Sequence, residues 1–148
     1  MIEELWSDEV LYLRREGRLL VAGWFDAPRL EHMLKVEASS KEHAGNLAFC
    51  NVIVRGRPRF TEDVREAGIR MVKNNGFRLG GAHLILVEGL AGAATRAFLG
   101  MIMLVGKATS QDARVFGEVE PAARFLAERL VGPNPAQVAS FLRETARR

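Results

Sequence analysis

A single cysteine, Cys50, stands in the 148-residue chain, so no intrachain disulfide can form and a reducing compartment is the natural setting. Membrane signals are also scarce. The opening MIEELWSDEV is acidic and lacks the apolar core of a secretory leader. The longest apolar run, Ala97 to Val105, falls far short of the roughly 20 residues that a spanning helix needs. Together these predict a cytoplasmic protein with no membrane span. Only three histidines are present. His32 and His43 stand turns apart on one predicted helix and His83 begins a strand, so none has a partner at metal-ligand spacing. Internal repeats and low-complexity segments are lacking too. Residues 87–96, VEGLAGAATR, are glycine-rich but match neither the dinucleotide fingerprint nor the P-loop, which needs Lys then Ser/Thr after its last Gly. They read as a tight crossover whose small residues pack against a sheet. No signature of an enzyme or a cofactor emerges, and the chain is read as non-enzymatic.

What remains is an ordinary globular composition, 48% apolar and 26% charged, in one domain long enough for a single core. The net charge is +3 and the isoelectric point near 9.5. Most arginines alternate with acids as on solvated helix faces. Only Arg55, Arg57 and Arg59 concentrate, without a recognition motif or interleaved aromatics, so nucleic acid is not expected as a partner.

The hydrophobic pattern alternates regularly. Val10–Arg14 and Arg18–Phe25 read as a hairpin turning at Gly17. Asp26 is the expected N-cap of a helix with Pro28 in its first turn, Leu30, Met33, Leu34 and Ala38 on its apolar face, and Gly45-Asn46 at its end. Leu47–Val54 (LAFCNVIV) and Ala82–Val87 (AHLILV) are strands apolar on both faces, as in a sheet covered by helices. Within the first, Asn51 is an amide that must find partners, and Cys50 reads as a small core residue. Helices are predicted over Thr61–Asn75, stopped by Asn74-Asn75-Gly76, and over Ala93–Gly106, Pro121–Val131 and Ala136–Arg147, with a short strand at Ala113–Phe116. The expectation is a single α/β domain in which an N-terminal hairpin joins a mixed, mostly parallel sheet of about five strands, followed after residue 131 by a C-terminal amphipathic helix over 132–148.

Three stretches carry a family resemblance. LAFCNVIVRGRPRFTEDVREAGIRMV, FRLGGAHLILVEG and ARVFGEVEPAARFLAERL, taken in order across residues 8–131, resemble the strands and helices of the STAS domain, in particular its SpoIIAA-like, anti-sigma-factor-antagonist branch. The resemblance implies a signalling adaptor that docks a regulatory protein, switched in that family by a serine phosphorylated at a helix N-terminus within Asp-Ser-Ser-Gly-Leu. Here Phe60-Thr61-Glu62-Asp63 stands before Val64, so the motif is degraded and Thr61 is the sole remaining hydroxyl. The corner Arg55, Arg57, Arg59, Thr61, Glu62 and Asp63 is then the expected partner-binding surface. Three readings of it stay open. Thr61 can be a plain N-cap, its oxygen accepting a backbone N–H, with two acids complementing the helix dipole. Glu62 and Asp63 can form a constitutively acidic surface. Thr61 can be phosphorylated, with Arg57 and Arg59 pairing the phosphate.

The helix AATRAFLGMIMLVGK is hydrophobic almost all round, more than a helix on one sheet needs. Some of its Phe98, Met101, Ile102, Leu104 and Val105 must therefore face a second apolar body. The candidates are the C-terminal helix with its Val138, Phe141 and Leu142, a second copy in a homodimer, or a hydrophobic small molecule such as a lipid or quinone. The adaptor is the leading expectation, and a carrier or sensor of a small hydrophobic ligand is the alternative.

Overall fold

The computed structural model describes residues 2–42, 46–57, 59–74, 77–108 and 112–148, with residues 105–108 described by backbone alone. The expected Gly45 and Asn75-Gly76 helix stops, His43 and the Val105 side chain lie outside the described residues.

Six strands form one sheet in sequential order: β1 (Ile2–Ser7), β2 (Leu11–Glu16), β3 (Leu19–Trp24), β4 (Ala48–Ile53), β5 (Gly80–Ile85) and β6 (Ala113–Phe116). β1, β2 and β3 run antiparallel, and β3 to β6 are parallel. The expected hairpin is β2–β3, and Gly17 adopts a φ of 58° at its turn. β1 is the strand that the hydrophobic pattern does not reveal. It is an outer strand with Glu3 and Glu4 exposed and a register shift between Glu4 and Trp6, so it carries charge where a central strand carries apolar side chains. Parallel pairing of β4 and β5 follows from their apolar faces, because a strand buried on both sides must be covered twice.

Two helical layers provide the cover. Helices α1 (Leu30–Lys41), α2 (Glu62–Lys73) and α3 (Gly89–Ala108) supply the crossovers of the parallel strands. Helices α4 (Val119–Ala127) and α5 (Pro135–Ala146) pack against each other and the opposite face. Cys50, Val52, Ala82 and Leu84 point into that second layer and meet Phe125, Leu126, Val138, Phe141 and Leu142. The C-terminal helix is thus part of the one core, and it cannot cover α3. Its start is sharp: Asn134 and Gln137 cap one another through reciprocal side-chain to backbone bonds of 2.9 Å, with Pro135 in the first turn.

α1 departs from expectation in its start and its face. Arg29, not Asp26, is its N-cap, and the Asp26 carboxylate instead accepts the N–H of Ala27. The buried residues are His32, Met33, Val36, Glu37 and Ser40, whereas Leu34 is 44% exposed and Ala38 also faces solvent. Polar partners set this rotation. His32 Nδ1 accepts the Arg29 N–H at 3.1 Å, so the ring proton sits on Nε2, which donates to Asp8 at 2.8 Å. Asp8 also accepts the Trp6 indole N–H and the backbone N–H groups of Val10 and Leu11. Burial pushes its pKa up, but those donors outweigh it and hold the carboxyl well below the usual range. Glu37 pairs with Arg70 at 2.9 Å and so ties α1 to α2.

Candidate functional site

Between the sheet and the α1–α3 layer the packing opens into a cavity of about 120 Å³. Its floor is one pleat face of the central strands, where alternation brings Phe49 and Asn51 of β4 and Gly81 and His83 of β5 to the same side. Asn51 is register-paired with His83 across β4–β5, and Trp24 lies diagonally ahead on β3. The walls come from Met33 and Val36 on α1, Val64 and Met71 on α2, and Leu99 and Ile102 on α3. At Gly68 of α2 an added Cβ would stand 3.2 Å from Ile102 Cδ1, so α2 and α3 meet here across the movable end of that side chain.

Three side chains on the floor form a hydrogen-bonded chain. The Trp24 indole Nε1–H donates to Asn51 Oδ1 at 2.8 Å, and Asn51 Nδ2 lies 3.1 Å from His83 Nδ1. An indole can only donate, so the amide oxygen must face Trp24 and the amide nitrogen must face the imidazole. His83 Nδ1 is then an acceptor, and a neutral ring carries its proton on Nε2. Burial pushes the His83 pKa down from 6.5 to about 4, in keeping with a neutral ring. Among the described residues no group reaches Nε2 within hydrogen-bond distance.

The mouth of the cavity is the charged corner after β4. Arg55, Gly56, Arg57 and Phe60 line it, and Phe60 stacks on Phe98 of α3 with ring centres 4.0 Å apart and planes 4° from parallel. Gly56 makes the corner possible. Its φ is 127°, and a Cβ would fall 2.5 Å from the Asp26 backbone. Arg55 lies over the Phe25 ring at 5.0 Å. Arg57, Arg59, Glu62 and Asp63 are exposed, and among the described residues none of them enters an ion pair. Thr61 stands at the N-cap of α2 as expected, but its oxygen does not accept a backbone N–H. Its hydroxyl donates to Asp63, whose carboxylate accepts the Val64 N–H at 2.8 Å. The acid two residues on has taken over the capping bond because a carboxylate is the stronger acceptor at the positive helix end.

The structure therefore joins two regions that the sequence keeps apart. Phe98 and Ile102 of α3 line the cavity whose mouth is the corner, while Met101 and Leu104 turn outward at 38% and 69% exposure. Cys50 points to the other face, where burial pushes its thiol up to about 12 and leaves it inert. In the glycine-rich segment a Cβ on Gly92 would strike the carbonyl oxygen of Val87 in its own preceding turn, but Leu90 and Ala93 face solvent, so the segment does not pack against the sheet as expected. Asn51 stands out in the sequence, but its partners do not. The available signal was two polar side chains, Asn51 and His83, in neighbouring strands that otherwise admit only apolar residues.

Among the described residues no helix is long and apolar enough to cross a membrane, and no three His, Cys, Asp or Glu side chains gather closely enough to hold a metal ion. No protein-family model, curated protein or solved structure matches the chain.

Proposed function

We propose that the protein is a binding module, a carrier or sensor, for a small and largely apolar molecule held between the sheet and α3. One observation carries this reading: an apolar-walled cavity of about 120 Å³ sits over a polar floor and beneath an aromatic-capped mouth. A well-packed domain leaves few voids larger than a water molecule. An engineered apolar cavity of about 150 Å³ takes up benzene, so the scale here suits a single ring or a short branched chain. The surplus apolar surface of α3 is in part the wall of this site.

Gly81→Val tests the proposal. Gly81 lines the cavity, and a Cβ there would lie 3.7 Å from Ala113 Cβ, an ordinary contact, so the strand accepts the side chain while the void is filled. Titration with single-ring aromatics, followed by the rise in melting temperature, should show saturable stabilisation of the native chain and about tenfold weaker binding to Gly81→Val. Equal, non-saturating responses from both proteins would exclude an internal site.

The corner supports a second reading. Arg57, Arg59, Glu62 and Asp63 are exposed and free of ion pairs among the described residues, as a docking surface for a charged regulatory protein would be. The STAS-like order of elements motivates the same idea. Affinity capture from the native cells should retain one regulatory protein on the native chain and lose it on the Glu62→Arg, Asp63→Arg double variant. Retention of the same proteins by both would remove the corner from consideration.

A further inference from the structure

Resting on the small-molecule reading above, we infer that the ligand carries a neutral hydrogen-bond acceptor, a ketone, aldehyde or amide oxygen, received by the Nε2–H of His83. The argument starts from the indole. Trp24 Nε1 has no lone pair to offer, so the 2.8 Å contact to Asn51 fixes the orientation of the amide. The amide then presents N–H to His83 Nδ1 at 3.1 Å. A ring whose Nδ1 accepts must hold its proton on Nε2. His83 is 7% exposed and lines the cavity, and among the described residues nothing meets that N–H. Nε2 is not one of the sealed, unpartnered side-chain atoms, which among the described residues are Arg14 Nε and Arg15 Nε, so this N–H is open to the cavity and an acceptor on the ligand takes the place of water there.

The other polar group in the wall does not compete. Thr95 Oγ1 donates to the Ala91 carbonyl at 2.8 Å, so its proton is already engaged. A carboxylate ligand is disfavoured for a different reason. Among the cavity-lining residues the full positive charges are Arg55 and Arg57, both exposed at the mouth, and a charge taken down to the floor would lose its hydration without an opposite charge to meet it. Protonating His83 to supply that charge would turn an Nδ1–H against the amide N–H of Asn51. The network thus selects a neutral oxygen, and it selects it with one bond of defined direction.

Two probes of the same shape test this: acetophenone, and 2-phenylpropene, which has a methylene where the ketone has its oxygen. Benzoate serves as the charged counterpart. The native protein should bind acetophenone about tenfold more tightly than 2-phenylpropene, and the His83→Phe variant should bind both alike. If the native chain binds the two equally, the donor role of His83 falls while the cavity reading survives. If neither binds, both fall for ligands of this size. Benzoate binding more tightly than acetophenone overturns the neutral class, and a preference that persists in His83→Phe places the donor elsewhere. Should that variant fail to fold, nitrogen-15 NMR of the native imidazole decides independently. A neutral ring protonated on Nε2, whose resonance moves with acetophenone and not with 2-phenylpropene, supports the inference. A ring protonated on Nδ1, or an imidazolium at neutral pH, overturns it.

Discussion

The two faces of the central strands use alternate residues of the same short segments and reach opposite outcomes. On the α4–α5 side, Cys50, Val52, Ala82 and Leu84 meet Ala122, Ala123 and Leu126 in a continuous apolar layer. On the α1–α3 side, the residues one step along are Phe49, Asn51, Gly81 and His83, and there the layer is hollow and holds three linked polar groups. Strand propensity and overall apolarity cannot account for the contrast, since both faces share one backbone. The side chains that the covering helices bury differ. Ala122 and Ala123 of α4 are buried in the solid layer, whereas the buried residues of α3 that line the cavity include the larger Leu99 and Ile102, and Phe98 is met by the Phe60 ring from the corner. A fold that needs only stability would pack both faces as the first is packed. The face that departs from close packing is the one to examine for function.

The sharpest way to break this comparison is a matched pair of truncations. Leu126→Ala, at a fully buried site in the solid face, should lower unfolding stability by about 3–5 kcal/mol, because the surrounding side chains cannot collapse into the void. Leu99→Ala, at a wall that already borders empty space, should cost less, about 2 kcal/mol. Urea denaturation of the two variants checks the order, and equal losses would mean that both faces are packed alike.

Acid offers a second handle. His83 has its pKa lowered from 6.5 to about 4 in the folded chain by burial, so the unfolded chain takes up a proton first as the pH falls. Stability is therefore complete above pH 6.5 and is lost progressively as the pH falls towards 4, by roughly 3 kcal/mol in all. Asp8 and Glu37, both lowered in the folded state, lose their contributions only from about their ordinary values of 3.8 and 4.5 downwards. Between pH 4.5 and 6.5, then, the native chain should weaken while His83→Phe stays nearly flat. Parallel slopes for the two proteins would show that His83 is not the responsible group.

The smallest effect sharpens the contrast from within the hollow layer. At Gly68 an added methyl group meets only the movable end of Ile102 at 3.2 Å and Met33 Cε at 3.8 Å. Gly68→Ala should gain up to about 1 kcal/mol of helix propensity and lose a little cavity space. Its melting temperature should rise by a few degrees at most. A fall would mean that α2 and α3 are locked more tightly than their separation suggests.

Much of the fold was legible because periodicity is set locally. LAFCNVIV and AHLILV announced buried parallel strands, and Gly17 announced the hairpin turn. β1 was hidden because an outer strand tolerates the charges of IEELWS. The face of α1 was misjudged because a histidine and a glutamate, polar by type, are buried there through Asp8 and Arg70. The site was only half visible. Asn51 and the surplus apolarity of α3 were both noticed, but their relation depends on strand register and on which sheet face each helix takes. That is also why the C-terminal helix, on the opposite face, proved unable to cover α3.

The sequential strand order has a consequence for how the protein folds. Trp24 and Asn51 are 27 residues apart and Asn51 and His83 are 32 apart, so each link of the chain closes one crossover of similar length. Closure entropy rises only slowly with span, so the two links cost much the same, and each must be closed before its contacts can form. The polar bonds become worthwhile only once water has left the sheet face, which requires the covering helices in place. Assembly of the Trp24–Asn51–His83 chain should therefore be among the last events of folding, and the indole of Trp24, which passes from water into that hydrogen bond, is a built-in optical clock for it.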